Sequence, residues 1–364
     1  MRAGIYAQMP NASITKDSQS RGAPGDRFID PLDQPLKWDP SRIFNILSLD
    51  GGGIKGLNSA ALLAHVEEDL GCAVTDHFDL IAGTSTGAII AAALGLGMRP
   101  KDIVRFYVER GPTIFPATTL QNKRANLRHI FRRKFDSAAL EENLRECIGE
   151  RILGESTKRL VIPAYDIGRD DVCLFKTPHH PRFMRDHRLP AWQVVMASAA
   201  APSYFPAVRS IEHRRLIDGG VWANNPVMVA ITEAIGVLGV PVSNIRVLSI
   251  GTTDPLCMPP EKLDKGGQWT WKAEAVRVAL RGQSIGAINQ ARLILGNDRV
   301  VRVDPVVPDG MFALDKLDVT GHLSLAAHES RIAMPAIAPF MRHVAAAFTP
   351  FYGPLAKQQM EVTS

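Results

Sequence analysis

The order of apolar and amphipathic stretches in this chain predicts an α/β fold with a mostly parallel central sheet flanked by helices. Three observations carry that prediction. Short apolar runs of strand length alternate with stretches of helical spacing. Glycine-rich turns stand at two strand-to-helix junctions, Asp50-Gly51-Gly52-Gly53 and Gly83-Thr84-Ser85-Thr86-Gly87. A 46% hydrophobic content over 364 residues is enough for one large core, or for one domain with a smaller lobe.

The elements follow in order. Residues 1–41 read as an irregular arm, because Pro10, Pro24, Pro31, Pro35 and Pro40 forbid a long helix. The first strand is expected over Ile43 to Leu49. A helix from about Leu57 to Asp69 places Leu62, Leu63, Val66 and Leu70 at helical spacing. A strand over 78–82 runs into the serine turn, and an apolar helix follows over 86–96. Another helix is expected over 101–109, then an irregular and basic stretch over 111–135, then a short amphipathic helix from Ala138 to Ile148. Residues 160–165 and 171–175 read as strands, and 190–201 as a helix ended by Pro202. A short strand, Arg215 to Ile217, leads into Asp218-Gly219-Gly220. A helix over 226–238 and a strand over 245–251 come next. Ala273 to Leu295 reads as a long helix interrupted by Gly282 and Gly286. Val300 to Val303 is a strand, and His322 to Ala347 reads as mostly helical. One main domain is expected over 42–347, with a C-terminal tail over 348–364.

Bulk properties narrow the function class. A formal net charge of +5 modestly favours anionic surfaces or ligands and is too weak to argue for a nucleic-acid polymer as partner. Cys72, Cys147, Cys173 and Cys257 show neither a CxxC pair nor zinc-ligand spacing, and read as reduced thiols of a cytoplasmic protein. The N-terminal residues lack the apolar stretch of a signal peptide. The longest apolar run, 88–98, falls short of the roughly 20 residues a spanning helix needs, so any work on a membrane is expected from its surface.

Three motifs bear chemistry. In Asp50-Gly51-Gly52-Gly53-Ile54-Lys55-Gly56, adjacent glycines let several amide hydrogens converge on one point near a helix N-terminus. Such a nest suits a phosphate or the oxyanion of an acyl-transfer intermediate, with Lys55 adding positive charge. The same string satisfies G-x-G-x-x-G, which raises dinucleotide binding as a rival. That rival needs an acidic residue at the end of the second strand. Asp76 and Asp79 stand before it or at its start, and its far end carries Gly83-Thr84-Ser85. A glycine-rich turn that binds nothing is the plain alternative. The second motif, G-x-S-x-G centred on Ser85, can hold a serine on a strained turn with its hydroxyl exposed, and the Thr86 amide is a further oxyanion donor. The third, Asp218-Gly219-Gly220, sets a carboxylate at a strand end, with Asn224 and Asn225 suited to holding the loop that follows. A simple Asp-Gly turn is its alternative.

A nucleophilic serine needs a base. The histidines after Asp218 are His322, His328 and His343, all in expected helices without a glycine-loop setting, and His65 faces the same objection. Asp-Gly-Gly-Gly-Ile-Lys-Gly, Gly-Thr-Ser-Thr-Gly and Asp-Gly-Gly, in that order, resemble the patatin-like phospholipases, and the resemblance covers roughly residues 43–345. It implies a three-layer patatin-like fold and a Ser–Asp dyad without a histidine. Carried over, Ser85 is the nucleophile and Asp218 the base. The amides of Gly51, Gly52 and Gly53 form the oxyanion hole, and Lys55 takes the motif's basic position. Gly83, Gly87 and Gly219 support these turns. The implied reaction is hydrolysis of a phospholipid acyl ester, with neither metal nor cofactor.

The stretch Lys123 to Lys134 repeats Arg124, Arg128 and Arg132 at helical spacing beside Leu127, Ile130 and Phe131. It suits an anionic membrane surface, a solvated helix face or an anionic ligand. The basic stretch His179 to Arg188 carries the same alternatives. Size, layout and the missing targeting signal also resemble the bacterial patatin-like phospholipases of antiphage cyclic-oligonucleotide signalling. That resemblance implies a cyclic oligonucleotide activator, at residues the sequence does not assign, and attack on membrane lipid from the inner face. A homo-oligomer stays open.

Overall fold

The structure is a computed structural model, and it describes residues 34–114, 137–256, 263–308, 311–312 and 317–363. Its contacts separate Met1–Gln34 from Pro35–Ser364; the fold below is that of the second unit.

The first strand, β1 (Phe44–Leu49), is buried along its whole length, as a parallel strand between two helical layers must be. It pairs in parallel with β2 (Leu80–Gly83) on one side and β6 (Ile245–Ile250) on the other. β3 (Arg159–Asp166) adds in parallel beyond β2, and β8 (Val300–Val303) beyond β6, while β7 (Asp254–Leu256) and β9 (Val306–Pro308) pair in a separate two-stranded sheet. β4 (Asp171–Lys176) closes the far edge antiparallel to β3. The register puts Leu49 level with both Gly83 and Ile250. The turns after β1, β2 and β6 therefore leave the sheet at one end, the carboxyl end where parallel α/β sheets collect their ligands.

Side chains alternate between two cores. Leu47, Leu49 and Ile81 face a layer that includes α1 (Gly56–Leu70), α2 (Thr86–Gly95), α3 (Pro100–Ile114), α4 (Ser137–Ile148) and α5 (Ala191–Ala199). Phe44, Ile46, Leu80 and Ala82 face the other layer, whose buried residues include those of α7 (Val227–Gly236) and α8 (Gln268–Leu295), which follow the single turn α6 (Gly220–Ala223). The expected α/β architecture of three layers is present.

One strand has an unexpected position. β5 (Leu216–Asp218) is antiparallel and pairs with residues 164–166 of β3, whereas β2 pairs with 159–161 of the same strand. Because β4 occupies the other edge of β3 over 161–166, β5 lies on β2's side, in the slot that opens where β2 stops at Gly83. Its last residue, Asp218, sits opposite Ala164 and faces the turn that follows β2.

The structure corrects several expectations. α8 runs unbroken through Gly282 and Gly286. A helical glycine costs only about 1 kcal/mol relative to alanine, which a 28-residue helix with a buried face can carry. α3 continues to Ile114 with Pro112 inside it. The helix after α8, α9 (Val319–Ile337), ends before Ala338, so residues 343–347 lie outside any helix. His343 there places Nε2 2.7 Å from Asp79 Oδ2. Farther on, α10 (Pro354–Thr363) follows a segment fastened by Tyr352, whose hydroxyl donates to the Pro181 carbonyl at 2.7 Å.

The basic stretch His179 to Arg188 is not a uniformly solvated patch. His179, His180 and His187 are buried. Glu233 accepts from Lys176 Nζ at 2.6 Å and lies 3.0 Å from His179 Nε2. Burial pulls the pKa values of His179 and His187 below the usual histidine value, which favours their neutral forms. The basic helix expected over 123–134 lies outside the described residues. Among the described residues, no helix is long and apolar enough to cross a membrane.

Candidate active site

Ser85 stands between β2 and α2 with φ 55° and ψ −118°, a conformation an L-residue rarely adopts. The flanking glycines explain how the turn is held. A Cβ on Gly83 would strike the Gly87 carbonyl, and one on Gly87 would strike the Leu49 carbonyl at the end of β1. The turn therefore lies flat against the sheet only if both positions lack a side chain, and its apex carries the serine. Strained serines on strand-to-helix turns are the usual geometry of a hydrolase nucleophile.

Asp218 meets Ser85 from the adjoining slot. Ser85 Oγ donates to Asp218 Oδ2 at 2.7 Å. The other carboxylate oxygen, Oδ1, accepts from the Gly220 amide at 2.6 Å, which fixes the plane of the group. Both residues are buried. Burial pushes the Asp218 carboxyl up to about 6, against the lowering effect of the two hydrogen bonds. A carboxylate so tuned is ionised near neutrality and more basic than an ordinary aspartate, as a general base should be.

The glycine turn lies on the other side of Ser85. A Cβ on Gly51 would come 3.3 Å from Ser85 Cβ. The Gly51 amide already donates to the Asn224 carbonyl at 2.9 Å, so the expectation that it would serve an oxyanion is corrected. The amides of Gly52 and Gly53, in contrast, have no acceptor among the described residues. Gly52 caps and Gly53 opens the short 3₁₀ turn Gly53–Lys55, where helical geometry offers no internal acceptor. Thr86 is the first residue of α2, and its Oγ1 makes a short contact with the hydroxyl of Tyr107, a fully buried residue of α3. Lys55 is also buried, and its Nζ donates to the Thr253 carbonyl at 3.3 Å. The Gly219 amide donates to the Ser198 carbonyl at 3.2 Å. Asn225 Oδ1 accepts from the Val227 amide at 3.0 Å, so this side chain holds its own loop as expected.

Among the described residues no histidine hydrogen-bonds to Ser85 Oγ, whose partner is Asp218. His322 is buried and stacked on Phe312 at 4.1 Å between ring centroids. Burial pushes it down to about 4, so the ring is neutral at pH 7. Asp79, the acidic residue a dinucleotide site would need, sits at the opposite end of β2. There it accepts from the Asn45 and Ala346 amides. The G-x-G-x-x-G reading is left without its acidic partner.

Two contributors escaped the sequence reading. Arg302 of β8 grips Asp50, the residue before the glycine turn, through Nη1–Oδ1 at 2.9 Å and Nη2–Oδ2 at 2.6 Å. Ser198 of α5 accepts from the Ser85 amide at 3.0 Å and donates to the Pro163 carbonyl at 2.6 Å. Each had a signal in the sequence: a lone arginine in the apolar strand Val-Val-Arg-Val, and a lone hydroxyl in an alanine-rich helix.

A strained serine on a carboxylate thus stands beside a glycine nest at the carboxyl end of a three-layer α/β sheet, the class of fold and site found in patatin-like proteins. Residues 47–231 match the patatin-like phospholipase family, and the chain belongs to it. Among similar proteins, the cGAMP-activated phospholipase of Pseudomonas aeruginosa (strain BWHPSA011 / Pa011) is 33% identical over 326 residues, covering 85% of this chain and 96% of that one. The cGAMP-activated phospholipase of Vibrio cholerae serotype O1 is 32% identical over 229 residues, covering 57% of this chain and 63% of that one. Patatin-like protein 4 of Arabidopsis thaliana is 34% identical over 218 residues, covering 55% and 53%.

Proposed function

We propose that this chain hydrolyses acyl esters of membrane phospholipids through a Ser85–Asp218 dyad. The 2.7 Å hydrogen bond from Ser85 Oγ to Asp218 Oδ2 carries the reading. Ser85 Oγ attacks the ester carbonyl carbon as its proton passes to Asp218. The negative charge on the carbonyl oxygen is met by the amides of Gly52 and Gly53, with Thr86 as a further donor. Collapse breaks the acyl C–O bond, and Asp218 returns the proton to the departing alcohol of the lysolipid. Asp218 then deprotonates a water, which attacks the acyl-serine; the acyl–Oγ bond breaks, Asp218 returns the proton to Ser85 Oγ, and the fatty acid is released.

The reading extends to control. Three relatives carry the name cGAMP-activated phospholipase, one of them aligned over 85% of this chain, and they support a cyclic oligonucleotide as activator. The enzyme would then act at the inner membrane face without spanning it. The test is fatty-acid release from phospholipid vesicles, with and without a panel of cyclic di- and trinucleotides. Release is expected with one ligand and none with Ser85→Ala. Equal release with and without every ligand would leave an unregulated lipase.

A pH prediction follows from the buried base. Only ionised Asp218 accepts a proton, so kcat/KM should rise as pH increases through about 6 and level off above it. A profile flat from pH 5 to 8, measured on a soluble ester, would exclude Asp218 as the base.

A further inference from the structure

We infer that Ser198 is a positioning residue of the reaction, holding the nucleophile turn to β3 through its hydroxyl and the base loop through its carbonyl. The inference rests on the dyad reading above. Ser198 is fully buried near the end of α5, and its polar atoms reach three separate pieces of the site. Its Oγ accepts from the Ser85 amide at 3.0 Å. The same hydroxyl donates to the Pro163 carbonyl of β3 at 2.6 Å, which leaves its lone pairs directed at the nucleophile turn. Its own carbonyl accepts from the Gly219 amide at 3.2 Å, and two residues on, the Ala200 carbonyl accepts from the Asp218 amide at 3.0 Å.

The physical consequence is a shared reference frame. Ser85 occupies a disfavoured backbone conformation, which persists only where its surroundings hold it. Its amide is one of the few groups through which they can do so, since the φ of Ser85 determines where that N–H points. β5 is only three residues long and pairs with β3 alone in the main sheet, so Asp218 also needs an anchor beyond its strand. Both anchors converge on the last turn of α5. The 2.7 Å Ser85–Asp218 hydrogen bond is therefore set by Ser198 as much as by either strand. The contact also occupies the Ser85 amide and removes it from the possible oxyanion donors.

Removing the hydroxyl should act on the chemical step rather than on lipid binding. With Ser198→Ala, the rate of covalent labelling by a fluorophosphonate, taken per folded molecule well below the melting temperature, is expected to fall roughly 10- to 100-fold, the scale of a small misplacement of reacting groups. With a soluble ester, kcat should fall while KM stays put. Ser198→Thr, which keeps the hydroxyl, should recover most of the loss. Ser198→Cys, close in volume and a poor hydrogen-bonding substitute, should resemble Ser198→Ala and stands in if that variant does not fold. Labelling rates of the Ala or Cys variant within twofold of the parent would overturn the inference, as would a loss confined to KM or an equal loss in Ser198→Thr. The dyad reading is checked separately: if Ser85→Ala still labels, or the parent does not, that reading fails instead.

Discussion

Asp218→Asn is expected to lower lipid hydrolysis by about 10³-fold, within the range a general base contributes, and to leave the fold intact. The asparagine keeps the shape of the group. Its carbonyl oxygen can still accept from the Gly220 amide, and its Nδ2 can point at Ser85 Oγ, but it cannot take a proton. The stability side has a definite sign. Burial raises the carboxyl to about 6, above the roughly 3.9 of an unfolded aspartate. The folded state thus binds this proton more tightly than the unfolded state. The stability contributed by that proton is fully present below about pH 4 and is lost as pH rises through 6. At pH 8 the native protein bears the cost of a buried carboxylate, and Asp218→Asn removes it. The variant should therefore melt no lower than the parent at pH 8 while losing activity. Thermal melts together with kcat/KM on a soluble ester check both halves. If His322→Ala is as damaging to kcat as Asp218→Asn, the base has been misassigned; the neutral, stacked environment of His322 predicts that it is not.

The parts of the site that were legible in the sequence are those made by local chain geometry. Gly83 is dictated by backbone closeness within its own turn, and Gly53 by its φ of 59° at the start of the 3₁₀ turn. Such needs leave short, recognisable strings. The pairing of Ser85 with Asp218 is different, because it depends on β5 entering the slot beyond β2 as an antiparallel segment of three residues. No periodicity in Leu216-Ile217-Asp218 announces that pairing, and family resemblance supplied it instead. The same limit applied to Gly51, whose amide is taken by a carbonyl from residue 224, and to Ser198, whose partners lie on β3, in the serine turn and after β5. Long-range hydrogen bonds by single polar atoms leave little pattern along a chain. The non-helical course of residues 343–347 was missed for a related reason. His343 and the Ala346 amide both bond to the buried Asp79 carboxylate, a tertiary demand that outweighs helical preference.

Arg302→Met should be the most destabilising single change near the site, costing about 3–5 kcal/mol, the range found when one partner of a buried ion pair is removed. The guanidinium is one-eighth exposed and satisfies three groups at once: both oxygens of Asp50, the Ser249 hydroxyl at 2.7 Å and Asp304 at 2.7 Å. Two carboxylates hold it firmly in the charged state. Methionine fills similar volume but removes the ion pair of Asp50, which is almost wholly buried, and leaves it the weaker attraction of Lys55. Asp50 is also the hinge of the glycine turn: its amide donates to the Ile250 carbonyl at 3.0 Å, and Gly51 follows immediately. Relaxation of an unpaired Asp50 toward water would therefore shift the Gly52 and Gly53 amides and lower activity together with stability. Adding Asp50→Asn to Arg302→Met removes the stranded charge and should recover a large part of the stability, because the two positions share one interaction and their effects do not add. Recovery of activity should be smaller, since the neutral pair lacks the bidentate grip that fixes the turn. Urea unfolding of the parent, the two single variants and the double variant gives the coupling directly. A loss below about 1 kcal/mol for Arg302→Met would place the pair among surface-like ion pairs and remove it from the account of the site.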